Sequence, residues 1–209
     1  MKGLLLKDWL LMRKRGIIFL VILAVYFFVG LMGTDTMIFG YMIVVLAPML
    51  AVSTFSYDEA VKWNMMAAVL PISRKKQVQA RFLTALIAVV ASTLVCLAQN
   101  GILYLRNADA EMLKASLMIL LIFPSISFLY ISITFTLIYW FGAEKGRYVM
   151  IFGAALVGAI LGGSGALSGT LANWYDVFTV GVAVLFAVSV LTFFICYLIS
   201  VRIYEKKDF

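Results

Sequence analysis

The sequence predicts an all-α integral membrane protein. It predicts six transmembrane helices, an N-terminal helix lying in the membrane interface, and a helical cytoplasmic loop between the second and third spans. Composition is the first reason. Of 209 residues, 65% are hydrophobic and 13% charged, and mean hydropathy is +1.07. A soluble domain lies nearer half apolar and a quarter charged. The second reason is distribution: the apolar residues gather into charge-free runs of spanning length.

Those runs are 16–34, 36–57, 82–105, 115–143, 148–175 and 177–201. Each approaches or exceeds the roughly 20 residues that a transmembrane helix needs. Lipid offers backbone groups no partners, so helices are the expected form. Trp140, Tyr148, Trp174 and Tyr175 stand near run ends, where aromatic belts form. Pro48 and Pro124 fall inside runs and are expected to kink them. The chain reads as one transmembrane domain, 1–209. Its first run lacks a small-residue cleavage signature and reads as a retained helix, not a signal peptide.

The placement of charge sets the orientation. The net charge of +7 could serve a nucleic acid, but all except two of the 17 Lys and Arg residues fall on one side of these spans. The exceptions are Arg106 and Lys114. The positive-inside rule then puts both termini and the 58–81 loop in the cytoplasm. Membrane topology accounts for the charge, and no nucleic-acid partner is expected.

Segment 1–15, MKGLLLKDWLLMRKR, carries Leu5, Leu6, Trp9, Leu10 and Met12 on one broad helical face. Lys7, Asp8, Lys14 and Arg15 lie opposite, while Leu4 and Leu11 break the pattern. This predicts a helix in the inner interface. The alternative is a cytoplasmic extension of the first span.

Several chemistries are excluded. No run holds Asp, Glu, Lys or Arg, the intramembrane groups that ion-coupled carriers and proton relays usually need. Gln99 and Asn100 are polar but lie near the outer end of the third run. There is no histidine, hence neither the commonest metal ligand nor the commonest general base. Cys96 and Cys196 sit inside apolar runs and read as small hydrophobes rather than a disulfide or metal site. The chain has no phosphate-binding loop, and 162-GGSGALSGT-170 lacks the required lysine,. No nucleophile–base pair is visible. The chain is not expected to be an enzyme by itself, and it carries no cofactor. It reads as a passive pathway that takes energy from a partner.

The polar stretch 57–81 is where such a partner would act. Asp58 and Glu59 are expected to start a short helix, since acids suit a helix N-terminus. Val61, Met65 and Ala68 share one face of it, and Trp63 projects elsewhere,. Pro71 ends it, and Ser73 caps a second helix that enters the membrane at Arg81-Phe82. The run from Met65 to Leu70 is too apolar for a solvated loop, so protein or membrane is expected to cover it.

At these residues the sequence resembles the small permeases of the type-2 ABC exporter class. The resemblance lies in Ser56-Tyr57-Asp58-Glu59, Trp63 and Leu70-Pro71-Ile72-Ser73-Arg74. It continues in the opening MKGLLLKD, in 141-FGAEKGRY-148 and in the closing stretch from Ser200 through 204-YEKKDF-209. It therefore covers the whole chain in order. Within that class it extends to exporters of phenol-soluble modulins and antimicrobial peptides.

The resemblance implies a bacterial plasma-membrane permease for amphipathic cytolytic or antimicrobial peptides. It implies two cytoplasmic ATPase subunits, which hold the ATP and Mg²⁺, and a second permease, identical or related. It makes 57–81 the coupling loop, with Asp58, Glu59, Val61, Trp63, Met65, Pro71 and Arg74 at the ATPase. Glu144, Lys145 and Arg147 form a second, smaller contact. Ala154, Gly158, Gly162 and Ala166 recur every four residues, a spacing that lets helices approach closely. That stripe serves either packing within the bundle or the seam between permeases. No substrate-binding residue is assigned. Two other readings stand beside this one. The first is a scaffold or sensor docking a non-ATPase partner, and the second is an exporter of lipids or small amphiphiles.

Overall fold

The computed structural model describes residues 2–15, 17–32, 37–63, 66–67, 73–107, 110–142 and 175–206. Among them are six long helices and no strand. They are α1 (Lys2–Arg15), α2 (Ile17–Leu31), α3 (Met37–Ala60), α4 (Arg74–Asn107), α5 (Ala110–Phe141) and α6 (Tyr175–Glu205). Helices α3, α4 and α5 pack against one another, α6 packs on α4 and α5, α2 lies along α3 and α4, and α1 crosses the end of the bundle.

Four helices are long and apolar enough to cross a membrane: Phe39–Ala60, Arg74–Arg106, Met118–Phe141 and Gly181–Glu205. The expected first span differs from the run that predicted it. Helix α2 has 15 residues, about 22 Å at 1.5 Å per residue, shorter than the hydrocarbon layer. It closes with a tight Met32 N to Val29 O bond of 3.1 Å, and Arg106 caps the Leu31 carbonyl at 3.1 Å. The fifth run, 148–175, lies outside the described residues except for Tyr175, which opens α6.

Aromatic rings build the core. Phe82 of α4 sits edge-on to Phe135, Phe193 and Tyr197 at 5.1, 5.3 and 5.4 Å. Phe55 of α3 meets Phe135 at 4.9 Å and Tyr139 at 5.4 Å. Edge-to-face pairs at such separations add to the burial of the rings themselves. Hydroxyls inside the bundle are met locally. Ser125 and Ser132 donate to the carbonyls four residues back, and Ser127 also reaches the Val44 carbonyl on α3 at 2.8 Å. Such back-bonding lets small polar residues sit in an apolar helix. Pro48 and Pro124 both lie inside helices.

The helix expected to begin at Asp58 does not begin there. Helix α3 runs through Asp58 and Glu59 and ends at Ala60. Lys62 then turns the chain with φ of 51°, its N–H donating to the Glu59 carbonyl at 3.0 Å. Helical geometry resumes at Trp63, Met66 and Ala67. The two acids therefore sit at the negative end of a helix dipole, the unfavourable end, and cations on other helices compensate there. Ser73 directly precedes α4, and its carbonyl accepts the first bonds of that helix from Lys76 and Gln77.

Candidate functional site

Four charges meet where α1 crosses α3 and α4. Lys7 Nζ lies 2.9 Å from both carboxylate oxygens of Asp58. Arg81 pairs with Asp8 at 2.9 Å through one amino group and with Asp58 through the other. Arg81 also donates to the Thr54 hydroxyl, and Thr84 donates to Asp8 at 3.4 Å. Asp8, Asp58 and Arg81 are 1%, 7% and 7% exposed, so two acids and one base are held out of water, with Lys7 half-buried at their edge. Burial of that kind is tolerable only when every charge is paired and hydrogen-bonded.

The polar side of α1 thus faces protein instead of solvent. Leu4, Lys7, Asp8 and Leu11 are spaced as one helical face, with Leu4 and Asp8 buried. The residues that broke the single-face pattern belong to this second face. Leu6, Trp9 and Leu10 point away, each more than half exposed.

Burial lowers the Lys7 ammonium to about 8, and the Arg81 charge adds to that effect, while Asp8 opposes it. The same ammonium stands 3.9 Å from the centre of the Trp63 ring, a cation–π contact. Arg81 lies 5.0 Å from the Phe55 ring. A cavity of about 110 Å³ opens beside the quartet, lined also by Leu4, Gln77, Tyr139 and Tyr204. The end of α6 closes the site: Tyr204 donates to Gln77 at 3.0 Å, and Arg74 donates to the Glu205 carbonyl at 2.8 Å.

The residues expected in the loop therefore divide. Asp58 and Trp63 turn inward to the quartet, because Lys7 offers both a partner. Glu59 and Val61 are exposed, and Arg74 is half-buried against α6. Met66, beside the expected Met65, is 59% exposed. Met65, Pro71, Glu144, Lys145, Arg147, Ala154, Gly158, Gly162 and Ala166 lie outside the described residues. Lys7, Asp8 and Arg81 were not singled out by the sequence; the spacing Leu4, Lys7, Asp8, Leu11 is the signal that marks the first two.

The architecture is that of a multi-pass membrane protein with an ionic joint at one end and no metal-binding cluster among the described residues. The chain belongs to the family described as ABC-2 family transporter protein, whose model matches residues 3–205. It is accordingly the permease subunit of an ABC transporter, a transport subunit that associates with an ABC ATPase. No curated protein and no solved structure matches it.

Proposed function

We propose that the chain is the membrane half of an ATP-driven exporter in a bacterial plasma membrane, moving amphipathic peptides of the cytolytic or antimicrobial kind. Six helices span, with both termini and the 57–81 loop in the cytoplasm. Two permeases, identical or related, pair with two ATPase subunits that bind ATP and Mg²⁺. The loop is the coupling element. Glu59, Val61 and Met66 offer exposed side chains to the ATPase, with Met65, Pro71 and Arg74 extending that contact and Glu144, Lys145 and Arg147 giving a second one. Ala154, Gly158, Gly162 and Ala166 form a packing face.

One observation carries this reading. Trp63 follows the Lys62 turn and lies against Lys7, which holds Asp58. A displacement of the loop is thereby delivered to α1, α3 and α4 together. Closure of the ATPase dimer moves the loop as a rigid lever. In this reading Asp58 and Trp63 position the lever and do not touch the ATPase.

The experiment is a detergent pull-down of the tagged permease, followed by ATPase assays of the complex in nanodiscs with and without an amphipathic cationic peptide. The expected result is a co-purifying nucleotide-binding subunit whose hydrolysis rises with peptide. Trp63→Ala should keep the subunit and lose at least tenfold of the stimulation. Normal stimulation in Asp58→Asn, Glu59→Gln and Trp63→Ala alike would remove the coupling assignment. Stimulation by other amphiphiles and not by peptides would remove the peptide.

A further inference from the structure

The loop between α3 and α4 carries, at both of its ends, charges of the wrong sign for the helix they stand on. Asp58 and Glu59 close α3 at the negative end of its dipole,. Helix α4 opens with Arg74, Lys75 and Lys76 and has no acid in its first turn, so cations crowd the positive end of its dipole. At the loop's entry, Lys7 and Arg81 answer Asp58. At its exit the answer comes from α6. The last carbonyls of a helix have no partner within it, and Arg74 donates to that of Glu205 at 2.8 Å. The negative end of α6 thus meets a misplaced cation of α4, while Lys75 and Lys76 stay exposed. Charges that break a local rule and are compensated from another element mark places where something besides helix stability is served.

A second tie lies one turn further in. Gln77 stands between Arg74 and Arg81 on the same stripe of α4,, and the buried Tyr204 donates to it at 3.0 Å. The stripe therefore gives Arg74 and Gln77 to α6 and Arg81 to α1 and α3. Rings join the two ends. Tyr204 sits edge-on to Tyr139 at 5.3 Å, and Tyr139 edge-on to Phe55 at 5.4 Å. Phe55 in turn lies 5.0 Å from the Arg81 guanidinium. The hollow beside the ionic joint is lined from α1, α3, α4, α5 and α6, and by no described residue of α2. Among the described helices α6 packs only on α4 and α5. It does not meet α3, where the loop begins. Apolar packing is non-directional, whereas hydrogen bonds hold one last turn to one first turn in a fixed geometry.

We propose that Arg74, Gln77 and Tyr204 are positioning residues for transport. They form an exit clamp through which the second end of the loop moves the last turn of α6 together with the first turn of α4. The clamp rests on the reading of 57–81 as the coupling loop and adds a second output to it. The entry end acts on α1 and α3, the exit end acts on α6, and α2 takes no direct part. Arg74 is only half-buried against α6, so it serves the clamp beside its place in the ATPase contact. The clamp does not depend on which substrate the transporter moves.

The test uses the full chain in nanodiscs with the ATPase that co-purifies with it. Hydrogen–deuterium exchange is compared between the nucleotide-free complex and the complex trapped with ATP and vanadate. In the parent, exchange should change on trapping both in the loop after Ala60 and in the last two turns of α6. The change in α6 should be about fivefold, the scale on which one hydrogen bond alters local opening. Tyr204→Phe keeps the ring and removes one tie, and should reduce the α6 response while the loop response persists. Tyr204→Phe with Arg74→Gln should abolish it, and Arg74→Lys, which keeps the charge, should retain it. If the double variant releases the ATPase or fails to fold, Tyr204→Phe alone decides. A loop that responds in the parent while α6 does not overturns the clamp. So does an α6 response that survives in the variants: a merely structural tie would shift exchange equally in both nucleotide states and leave their ratio intact. A parent in which no ATPase co-purifies, or in which the loop itself ignores nucleotide, overturns the coupling reading and the clamp with it.

Discussion

Helices α3 and α4 are antiparallel and meet through polar groups twice, once near each end. At one end Asp58 and Arg81 join with Lys7 and Asp8. At the other, Tyr41 donates to Asn100 at 2.8 Å, the Cys96 thiol reaches the Gly40 carbonyl, and Gln99 is buried against Gly30 and Gly40. The two sets lie about 25 Å apart along the helices, counting from Tyr41 to Asp58 at 1.5 Å per residue. That is slightly less than the roughly 30 Å hydrocarbon layer, so each set sits near one edge of it. The chemistry differs because the neighbours differ. Helix α1 brings a cation and an anion to the first end, and full charges can cancel there. The far end receives glycines, and contact there is a matter of shape. A charged joint is costly to break and tolerant of small shifts. A shaped joint is cheaper to break and intolerant of added volume.

Breaking each joint tests this contrast. The largest effect is expected from Arg81→Met, which leaves two buried carboxylates to share the single cation Lys7 and should cost about 3–5 kcal/mol. Thermal unfolding in mild detergent reads it, and adding Asp8→Asn or Asp58→Asn should restore part of the loss. No restoration would mean the acids do not share Arg81. Next is Gly40→Ala. A methyl there would occupy the space of the Gln99 amide, and overpacking of this kind costs about 1–3 kcal/mol. Shortening the neighbour with Gln99→Ser should relieve it. Tyr41→Phe removes one neutral bond, worth about 0.6 kcal/mol inside a membrane protein. A loss comparable with that of Arg81→Met would erase the distinction between the ends.

The last effect has the opposite sign. The folded protein holds Lys7 at about 8 against an ordinary value of 10.5. Between those values the unfolded chain binds the proton more tightly, so stability rises as pH increases through that window. Below about pH 8 both states are protonated and the slope from Lys7 vanishes. Subtracting the pH profile of Lys7→Met should isolate this rise; an identical profile in the variant would show that Lys7 does not titrate early.

The spans were legible because hydrocarbon admits only long charge-free stretches, and four described helices follow those stretches closely. The ionic joint was not legible, for a reason of the same kind. Arg81 stands at the border of an apolar run, and Lys7 and Asp8 lie in the flank before the first one, where charged residues ordinarily mark the watery side. Sequence counts them as topology; only the crossing of α1 over α3 and α4 turns them into partners. Asp58 and Glu59 were noticed, but the preference of acids for helix starts suggested the wrong end of a helix. Lys7 and Arg81 offset that preference, and the helix runs on to Ala60. Gln99 was visible as an isolated polar residue. Its fit against Gly30 and Gly40 depends on three segments meeting, which no local pattern encodes.

The ionic joint also has a history during synthesis. Lys7 precedes Asp58 by 51 residues, and Arg81 follows a further 23 on. At 5–20 residues per second, the ribosome needs about 4–15 s to deliver the last partner after the first. Through that interval α1 has no finished α3–α4 pair to cross, and Lys7 and Asp8 lack Asp58 and Arg81 as partners. The N-terminal helix is therefore made first and docked late, after α2, α3 and the start of α4 are in place. Its docking requires α3 and α4 to lie antiparallel, since only then do Asp58 and Arg81 come to the same end of the bundle as Lys7 and Asp8.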